Sequence, residues 1–390
     1  MIHSIAKFVE IIATIGVISG MAYNLLCLWS ATVFLRDRKA AGEGARPTQS
    51  APPVSILKPL KGADPEMYEC FRSHCLQDYP EYEIIFGVSD PNDSAIEAVK
   101  RLMTEFPRCQ IRLLICQQEL GTNIKVSSLA QMLREAKHEF LVVNDSDIRV
   151  GPSYLRNVVA PLLDPTIGLV TCLYRGVPAS TLGSQLESIA ISTDFSPGVL
   201  AARTIENGIR FGLGSTLAFR RATLDAIGGF ESFVDYLADD YELGKRISEI
   251  GLQVVLSEEI VETYLPRYSF AEFMRHQLRW ARSVRESRFW GSVGLIFTFV
   301  LPWGALALIS SSGAVWAWGL LALAFCVRAA IAVIVGRDVL KDKTILRRAW
   351  LIPLRDLLAV FIWMGSFTGN TVEWRGDRFD LKGGKLVRKL

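Results

Sequence analysis

"VVNDSDIRV", residues 142–150, is the stretch on which the fold turns. An apolar strand runs into Asn144, Asp145, Ser146 and Asp147, then resumes at Ile148. Two carboxylates one residue apart repel each other, and two readings account for that cost. Asn, Asp and Ser are common turn formers, so the stretch reads as a solvated turn. Alternation along a strand also puts residues i and i+2 on one side, so Asp145 and Asp147 can share a divalent cation. The nine residues alone leave both open.

Their surroundings supply a sheet. "VSILKPL" (54–60), "EIIFGVS" (83–89), "IRLLIC" (111–116), "EFLVVN" (139–144) and "GLVTCLY" (168–174) read as buried strands. Helical periods fall between them, near 65–77, 94–106, 124–137 and 153–163. Near-continuous apolar strands alternating with helices predict an α/β fold, a mostly parallel sheet covered on both faces. Such sheets bind ligands beyond the carboxyl ends of their strands. Asp145 and Asp147 stand at one such end. Asp90, with Asp93 close behind in "FGVSDPNDS", stands at another.

Half of the 390 residues are hydrophobic, and the mean hydropathy of +0.26 is high for a soluble protein. A net charge of +3 provides no basic field of the kind nucleic acid demands. The seven cysteines include no CxxC pair, so neither a zinc site nor a disulfide framework is expected. "FVEIIATIGVISGMAYNLLCLWSATVF" (8–34) is long enough to span a bilayer, and the basic "RDRKAAGEGARP" that follows predicts that the next segment is cytoplasmic. A second apolar block, 292–336, breaks near "SSSG" and reads as a helical hairpin. A third, "AWLIPLRDLLAVFIWMGSFTG" (349–369), carries Arg355 and Asp356, as expected of a re-entrant segment or one packed inside a bundle.

The expected organisation is therefore a transmembrane anchor (1–36), a linker (37–53) and a cytoplasmic α/β domain (54–265). An interfacial amphipathic helix (266–291), a C-terminal transmembrane region (292–370) and a basic tail (371–390) follow. A full crossing by 349–369 puts the tail outside, whereas its Arg375, Arg378, Lys382, Lys385, Arg388 and Lys389 favour the inside.

"VSILKPLKGADP", "VSDPND", "NDSDIR", "YLADDYELG" and "HQLRWAR" occur in this order along the chain. That order resembles inverting glycosyltransferases of the GT-A fold, whose pattern is D, DxD, [TE]D and QxxRW. Within them the sequence most resembles the ceramide glucosyltransferase family (glycosyltransferase family 21), which includes bacterial members and the similar hopanoid-associated enzymes. The likeness covers nearly the whole chain, including the flanking apolar segments and "WRGDRF" (374–379).

The resemblance implies a role for each motif. Asp90 would contact the nucleotide base or ribose; an Asx-turn before Pro91 is its structural alternative. Asp145 and Asp147 match DxD and would hold Mg²⁺ or Mn²⁺ against a nucleotide diphosphate. Lys125 in "GTNIKVSSL" resembles the family's N-x-K element at a helix start, where a cation reinforces anion binding; a solvated surface lysine is the other reading. Asp239 and Asp240 open a helical period, where acidic residues complement the helix dipole. The family places its general base at the second acidic position, so Asp240 is the expected base and Asp239 its helper. "GLGSTLAFRR" (212–221) and "GGF" (228–230) resemble the acceptor-side segment.

"SFAEFMRHQLRWARSVRESRFW" (269–290) begins with the capping-box pattern of Ser269 and Glu272. Arg275, Arg279, Arg282 and Arg285 follow at helical spacing, with Phe270, Phe273 and Trp280 among them. Composition alone predicts a helix resting on anionic lipid. The resemblance assigns Gln277, Arg279 and Trp280 to QxxRW, with Arg279 on the donor diphosphate. It implies a multi-pass enzyme of a bacterial inner membrane, moving glucose from a UDP-sugar to a lipid hydroxyl. A hopanoid acceptor with UDP-N-acetylglucosamine is the alternative. A processive polysaccharide synthase is disfavoured by the few spans. A tethered, non-catalytic nucleotide-sugar sensor is the alternative of another class.

Overall fold

The computed structural model describes residues 2–44, 51–374 and 376–388. The chain forms two compact units: Ala40–Ala179, Ile205–Pro266 and Phe379–Leu390 make the first, and Met1–Lys39, Ser180–Thr204 and Arg267–Arg378 the second.

The first unit is built on an eight-stranded sheet: β1 Val54–Leu60, β2 Tyr82–Val88, β3 Gln110–Ile115, β4 Phe140–Val143, β5 Ile148–Arg149, β6 Ile167–Val177, β7 Leu217–Arg220 and β8 Gln253–Tyr264. Their order is β3-β2-β1-β4-β7-β6-β8-β5. β1, β2, β3 and β4 are parallel neighbours, as the continuous apolar runs predict, and β6 pairs parallel with β8. β7 runs antiparallel to β4 and β6, and β5 antiparallel to β8. Helices Met67–Cys75, Ala95–Glu105, Ile124–Glu135 and Tyr154–Val159 fall within the expected helical periods. Ile56, Ile84, Phe86 and Val142 pack against Phe71, Val99 and Tyr154 in the main core. Parallel register aligns the carboxyl ends of β1, β2 and β4, with Leu60 opposite Val88 and Leu57 opposite Val143. Asp90 and Asp145 each lie two residues beyond such an end.

The second unit is helical. Ser4–Ala40, Val315–Val339 and Ile345–Ser366 are long and apolar enough to cross a membrane. Phe289–Thr298 and Val300–Ser310 make a fourth such stretch only as a pair bent by 51°. The expected hairpin therefore has one continuous arm and one broken arm. Pro302 explains the break, because its ring clashes with the carbonyl four residues earlier, that of Thr298.

Three expected boundaries move. The N-terminal helix continues from Ile2 to Gly44, beyond the end set at 36, through Arg, Lys, Ala and Glu residues that favour helix. Of the linker 37–53, residues 45–50 lie outside the described residues. Residues 180–204, expected inside the 54–265 domain, belong to the helical unit instead: Leu186 and Ile189 are buried with Phe273, Val300 and Ile352. In the basic tail, Asp377–Lys382 and Lys385–Arg388 pair as an antiparallel hairpin, while Arg375 and Lys389 lie outside the described residues. The hairpin docks on the sheet unit: Leu237 N donates to Gly384 O at 3.1 Å and Leu386 N to Asp235 O at 2.7 Å.

Candidate active site

The tip of β4 is held from beneath. Asn144 is fully buried; its Nδ2 donates to Tyr154 Oη at 2.8 Å and Ser215 O at 2.7 Å. Asp145 N donates to Gly214 O at 3.3 Å, and Lys58 Nζ donates to Asp145 O at 3.0 Å. Lys58 is buried in β1, and removal from water lowers its pKa to about 8 against the pull of Cys70, Asp147 and Asp145. Ser146 donates to Asp64, and the Thr263 hydroxyl donates to Asp147 Oδ2. The stretch is thus a turn and also an ordered acidic tip.

Lys125 draws the second acidic pair to the first. Asn123 caps helix Ile124–Glu135, its side chain accepting from Val126 N at 3.2 Å, which fixes the turn that carries Lys125. Lys125 Nζ lies 2.8 Å from Asp145 Oδ1 and 2.9 Å from Asp239 Oδ2. With 10 % of its side chain exposed, it is no solvated surface lysine. Asp239 and Asp240 open helix Asp239–Glu249. Asp240 Oδ2 accepts from Gly214 N at 2.8 Å, and its Oδ1 from Tyr241 N at 2.8 Å.

Two glycines make this convergence possible. A Cβ on Gly214 would lie 2.8 Å from Asp145 Oδ2 and 3.4 Å from Asp240 Oδ2, so the residue between the two carboxylates has no room for a side chain. A Cβ on Gly244 would come within 2.3 Å of Gly212 N, so the helix bearing Asp240 lies directly against the 211–212 backbone.

The electrostatics favour a cation. Removal from water, then the charge on Asp145, raises the Asp147 pKa to about 7. Removal from water, then Asp239, raises that of Asp240 to about 6. Burial opposes the Lys125 charge, yet Asp145, Asp239 and Asp240 outweigh it and raise its pKa. Among the described residues no three His, Cys, Asp or Glu side chains gather as a metal cage. Asp145 and Asp147 nevertheless suit a hard divalent ion that takes its other oxygens from phosphate and water. Burial and the neighbouring Asp145 charge both disfavour the Asp147 carboxylate, and such an ion would offset both.

The other expected site residues are placed differently. Asp90 Oδ1 accepts from Asn92 N at 2.8 Å, which is the Asx-turn, and its side chain is exposed. Among the described residues no hydrogen bond or ion pair joins Asp90 to the Asp145–Asp240 cluster. Asp93 accepts from Gly62 N at 2.9 Å and Ala95 N at 2.8 Å, so it fastens two loops.

Gln277, Arg279 and Trp280 lie in the helical unit, on Phe270–Ser287, whose capping box is formed. Gln277 is buried, and Arg279 and Trp280 are half-buried. His276 Nδ1 meets Glu187 Oε2 at 3.2 Å. Arg282 donates to Thr371 O, and Arg285 donates to Ser366 O and, at 2.6 Å, to Asn370 Oδ1. Those two arginines tie the helix to the Ser366–Thr371 stretch of the helical unit.

Sequence reasoning passed over Lys58 and Arg328, and took Gly214 only as part of the 212–221 acceptor-side segment. Lys58 had a signal: a lysine inside a largely apolar strand. Arg328, in the helical unit, donates to Asp356 Oδ1 at 2.6 Å, Asp194 Oδ1 at 2.8 Å and Thr193 O at 2.7 Å. Asp356, recognised as unusual in an apolar segment, thus has a named partner.

The family model of glycosyl transferase family 21 matches residues 12–387. The chain belongs to that family. Among its relatives, ceramide glucosyltransferase 3 of Caenorhabditis elegans is 26% identical over 234 residues, 60% of this chain and 50% of that protein. A ceramide glucosyltransferase of Komagataella phaffii is 36% identical over 125 residues, 30% of this chain and 25% of that one. The chain spans about half the length or less of these curated relatives. In fold it is similar to a mannosyltransferase from Pyrobaculum calidifontis solved in complex with GDP-Man and Mn²⁺, with a TM-score of 0.52 at 20% identity over 91% of this chain and 99% of that one. The sheet unit of this family 21 chain is a GT-A-like fold.

Proposed function

We propose that this family 21 chain is a membrane-bound inverting glycosyltransferase that moves a sugar from a UDP-sugar to a lipid hydroxyl. Glucose and ceramide are the pair suggested by the names of its relatives. One observation carries the reading: the carboxylates of Asp145 and Asp240 flank the same glycine, Gly214. The expected metal carboxylate and the expected base thereby meet across one glycine at the carboxyl edge of the sheet.

A divalent ion, Mg²⁺ or Mn²⁺, held by Asp145 and Asp147 would neutralise charge on the donor diphosphate. Asp90, exposed beyond β2, accepts hydrogen bonds from the nucleoside. Lys125 holds Asp145 and Asp239 in place and adds positive charge beside the diphosphate. The family resemblance assigns Arg279 to the diphosphate, and Gln277 and Trp280 to the acceptor end. Asp240 takes the hydroxyl proton as the acceptor oxygen bonds to the anomeric carbon; the carbon–oxygen bond to UDP breaks, and UDP leaves with its electron pair. Attack opposite the leaving group inverts the anomeric centre.

The sheet unit lies on the cytoplasmic side, where UDP-sugars are made; the basic run after the first span supports this. The tail hairpin docks on the sheet unit, so an even number of crossings separates residues 266 and 371. The pair bent by 51° is then the arm that turns back instead of crossing. On this reading the basic tail stays inside, as its charge favours.

The test is purified full-length chain in detergent with a membrane lipid extract and either UDP-glucose or UDP-N-acetylglucosamine. UDP release with one lipid gaining the mass of the sugar is expected. Excess chelator should stop it, and Mg²⁺ or Mn²⁺ should restore it. Binding of a UDP-sugar with neither UDP release nor a heavier lipid would leave the sensor reading standing in its place.

A further inference from the structure

Helix Asp239–Glu249 opens without a cap of its own, because Ala238 at its N-cap has no side-chain acceptor. The stance of Asp239 and Asp240 therefore depends on what holds them from outside. Gly214 N holds Asp240 on one side; on the other stands the segment 234–238 that leads in. That segment is held twice. Asn123 N donates to Val234 O at 2.8 Å, and Asn123 Nδ2 to Tyr236 O at 2.7 Å. From the tail hairpin, Leu386 N donates to Asp235 O at 2.7 Å and Gly384 O accepts from Leu237 N at 3.1 Å, so Tyr236 and Lys385 face each other as an antiparallel bridge. Thr122 joins the two holds. Its N donates to Asp235 Oδ1 at 2.9 Å, and its hydroxyl lies 3.0 Å from both Asp235 Oδ1 and Leu386 O. The tail thereby reaches the segment before Asp239 and also the turn that carries Lys125.

The hairpin is shaped to present these groups. Gly383 and Gly384 have φ of 56° and 79°, as a tight two-residue turn requires. Lys382 pairs with Lys385 across that turn, and Leu381 with Leu386. Bonding alternates along an antiparallel pair, so the Leu386 N–H and C=O point outward, and both meet partners there. Leu381 and Leu386 are buried, so the hairpin is packed in place. Charge adds little: Arg388 lies 2.8 Å from Glu119, but both side chains are more than half exposed. We propose that the tail hairpin is a positioning element of the site: as an added strand it holds residues 235–237, and so sets where Asp239 and Asp240 stand relative to Lys125. Its bearing on catalysis rests on the glycosyltransferase reading; its hold on the segment does not. A displacement near 1 Å at a reacting centre can cost about a hundredfold in rate, so a strap outside the chemistry has ample leverage.

The test uses full-length chain in detergent and two readouts. Leu386→Pro removes the N–H that Asp235 O accepts, and proline is tolerated on a strand edge that faces away from its partner. Hydrogen–deuterium exchange over residues 235–243, measured without any UDP-sugar, should quicken roughly tenfold, the scale of a buried acceptor left unmet. Single-turnover sugar transfer should fall roughly tenfold to a hundredfold while UDP-sugar affinity is kept. Thr122→Val removes only the hydroxyl and should show the same split in weaker form, whereas Thr122→Ser, which keeps it, should behave like wild type. That pair decides the matter if Leu386→Pro does not fold. Wild-type exchange over 235–243 in folded Leu386→Pro would overturn the proposal. So would faster exchange with unchanged transfer, or a loss of UDP-sugar affinity in step with transfer, which would make the hairpin general packing. A wild-type chain that transfers no sugar would sink the enzyme reading, and the exchange arm would still decide whether the hairpin holds the segment.

Discussion

Lys125 in the sheet unit and Arg328 in the helical unit each stand between two aspartates at similar distances. Lys125 lies 2.8 and 2.9 Å from Asp145 and Asp239; Arg328 lies 2.6 and 2.8 Å from Asp356 and Asp194. Exposure does not separate them: the Asp145 and Asp239 side chains are 40% and 11% exposed, those of Asp194 and Asp356 35% and 7%. The cations differ. Lysine is a point charge on a flexible stem, free to change partners, whereas the arginine fork fixes its carboxylate. Asp240, whose charge acts on Lys125, has its pKa raised to about 6 by removal from water and then by Asp239. The lysine pairing would let charges rearrange around a ligand, as the proposed site requires, whereas the arginine fork holds its two carboxylates as a clamp.

The sharpest way to break this comparison is at Asp240. Asp240→Asn keeps the shape and helix start but cannot take a proton. Transfer should fall by a factor of roughly 10²–10⁴, the scale of a positioned base, while UDP-sugar affinity survives. Asp239→Asn should do less. Single-turnover transfer and UDP affinity in both variants check this; unchanged transfer in Asp240→Asn would exclude it as base, and loss in Asp239→Asn alone would move the role there.

The clamp predicts a different kind of damage. Arg328→Met leaves Asp356 and Asp194 without their principal partner inside the helical unit. Removing one member of a buried pair costs about 3–5 kcal/mol, so the detergent-solubilised chain should melt much earlier. Adding Asp356→Leu should restore part of the loss. A single variant that melts like wild type would show that the network is not structural.

Legibility in the sequence follows the same division. β1 to β4 and most of β6 were readable because buried strands leave unbroken apolar runs. β7 has only four residues, and β8 carries Glu258, Glu259 and Glu262, so neither showed such a run. Asp145, Asp147, Asp239 and Asp240 were visible as motifs, but their meeting was not. It depends on Lys125 reaching both pairs and on Gly214 between them. Arg328 was one cation in an apolar run, with Asp356 28 residues away and Asp194 134 residues away. No periodicity links such positions.

Gly214 probes how closely the carboxylates must approach. Gly214→Ala places a methyl 2.8 Å from Asp145 Oδ2, which must move. A carboxylate end can yield, so stability should barely change. Misplacement near 1 Å at a reacting centre can cost about a hundredfold; a loss of roughly tenfold to a hundredfold in kcat/KM for the donor is expected. A lower melting temperature with normal kinetics would assign Gly214 to packing alone.

The mildest test changes only pH. Removal from water and the neighbouring Asp239 charge disfavour the ionised form of Asp240 and raise its pKa to about 6. Its role as base requires that ionised form, so activity should be lost as pH falls through this value. One unit below it, about a tenth of the population remains competent, and kcat/KM for the lipid should drop about tenfold between pH 7 and pH 5. An ordinary aspartate would lose almost nothing over that interval. Asp239→Asn removes the neighbouring charge and should move the acid limb to lower pH, while Arg355→Lys, in the helical unit, should leave the limb in place. If the limb stays put in Asp239→Asn, Asp239 is not what tunes the base.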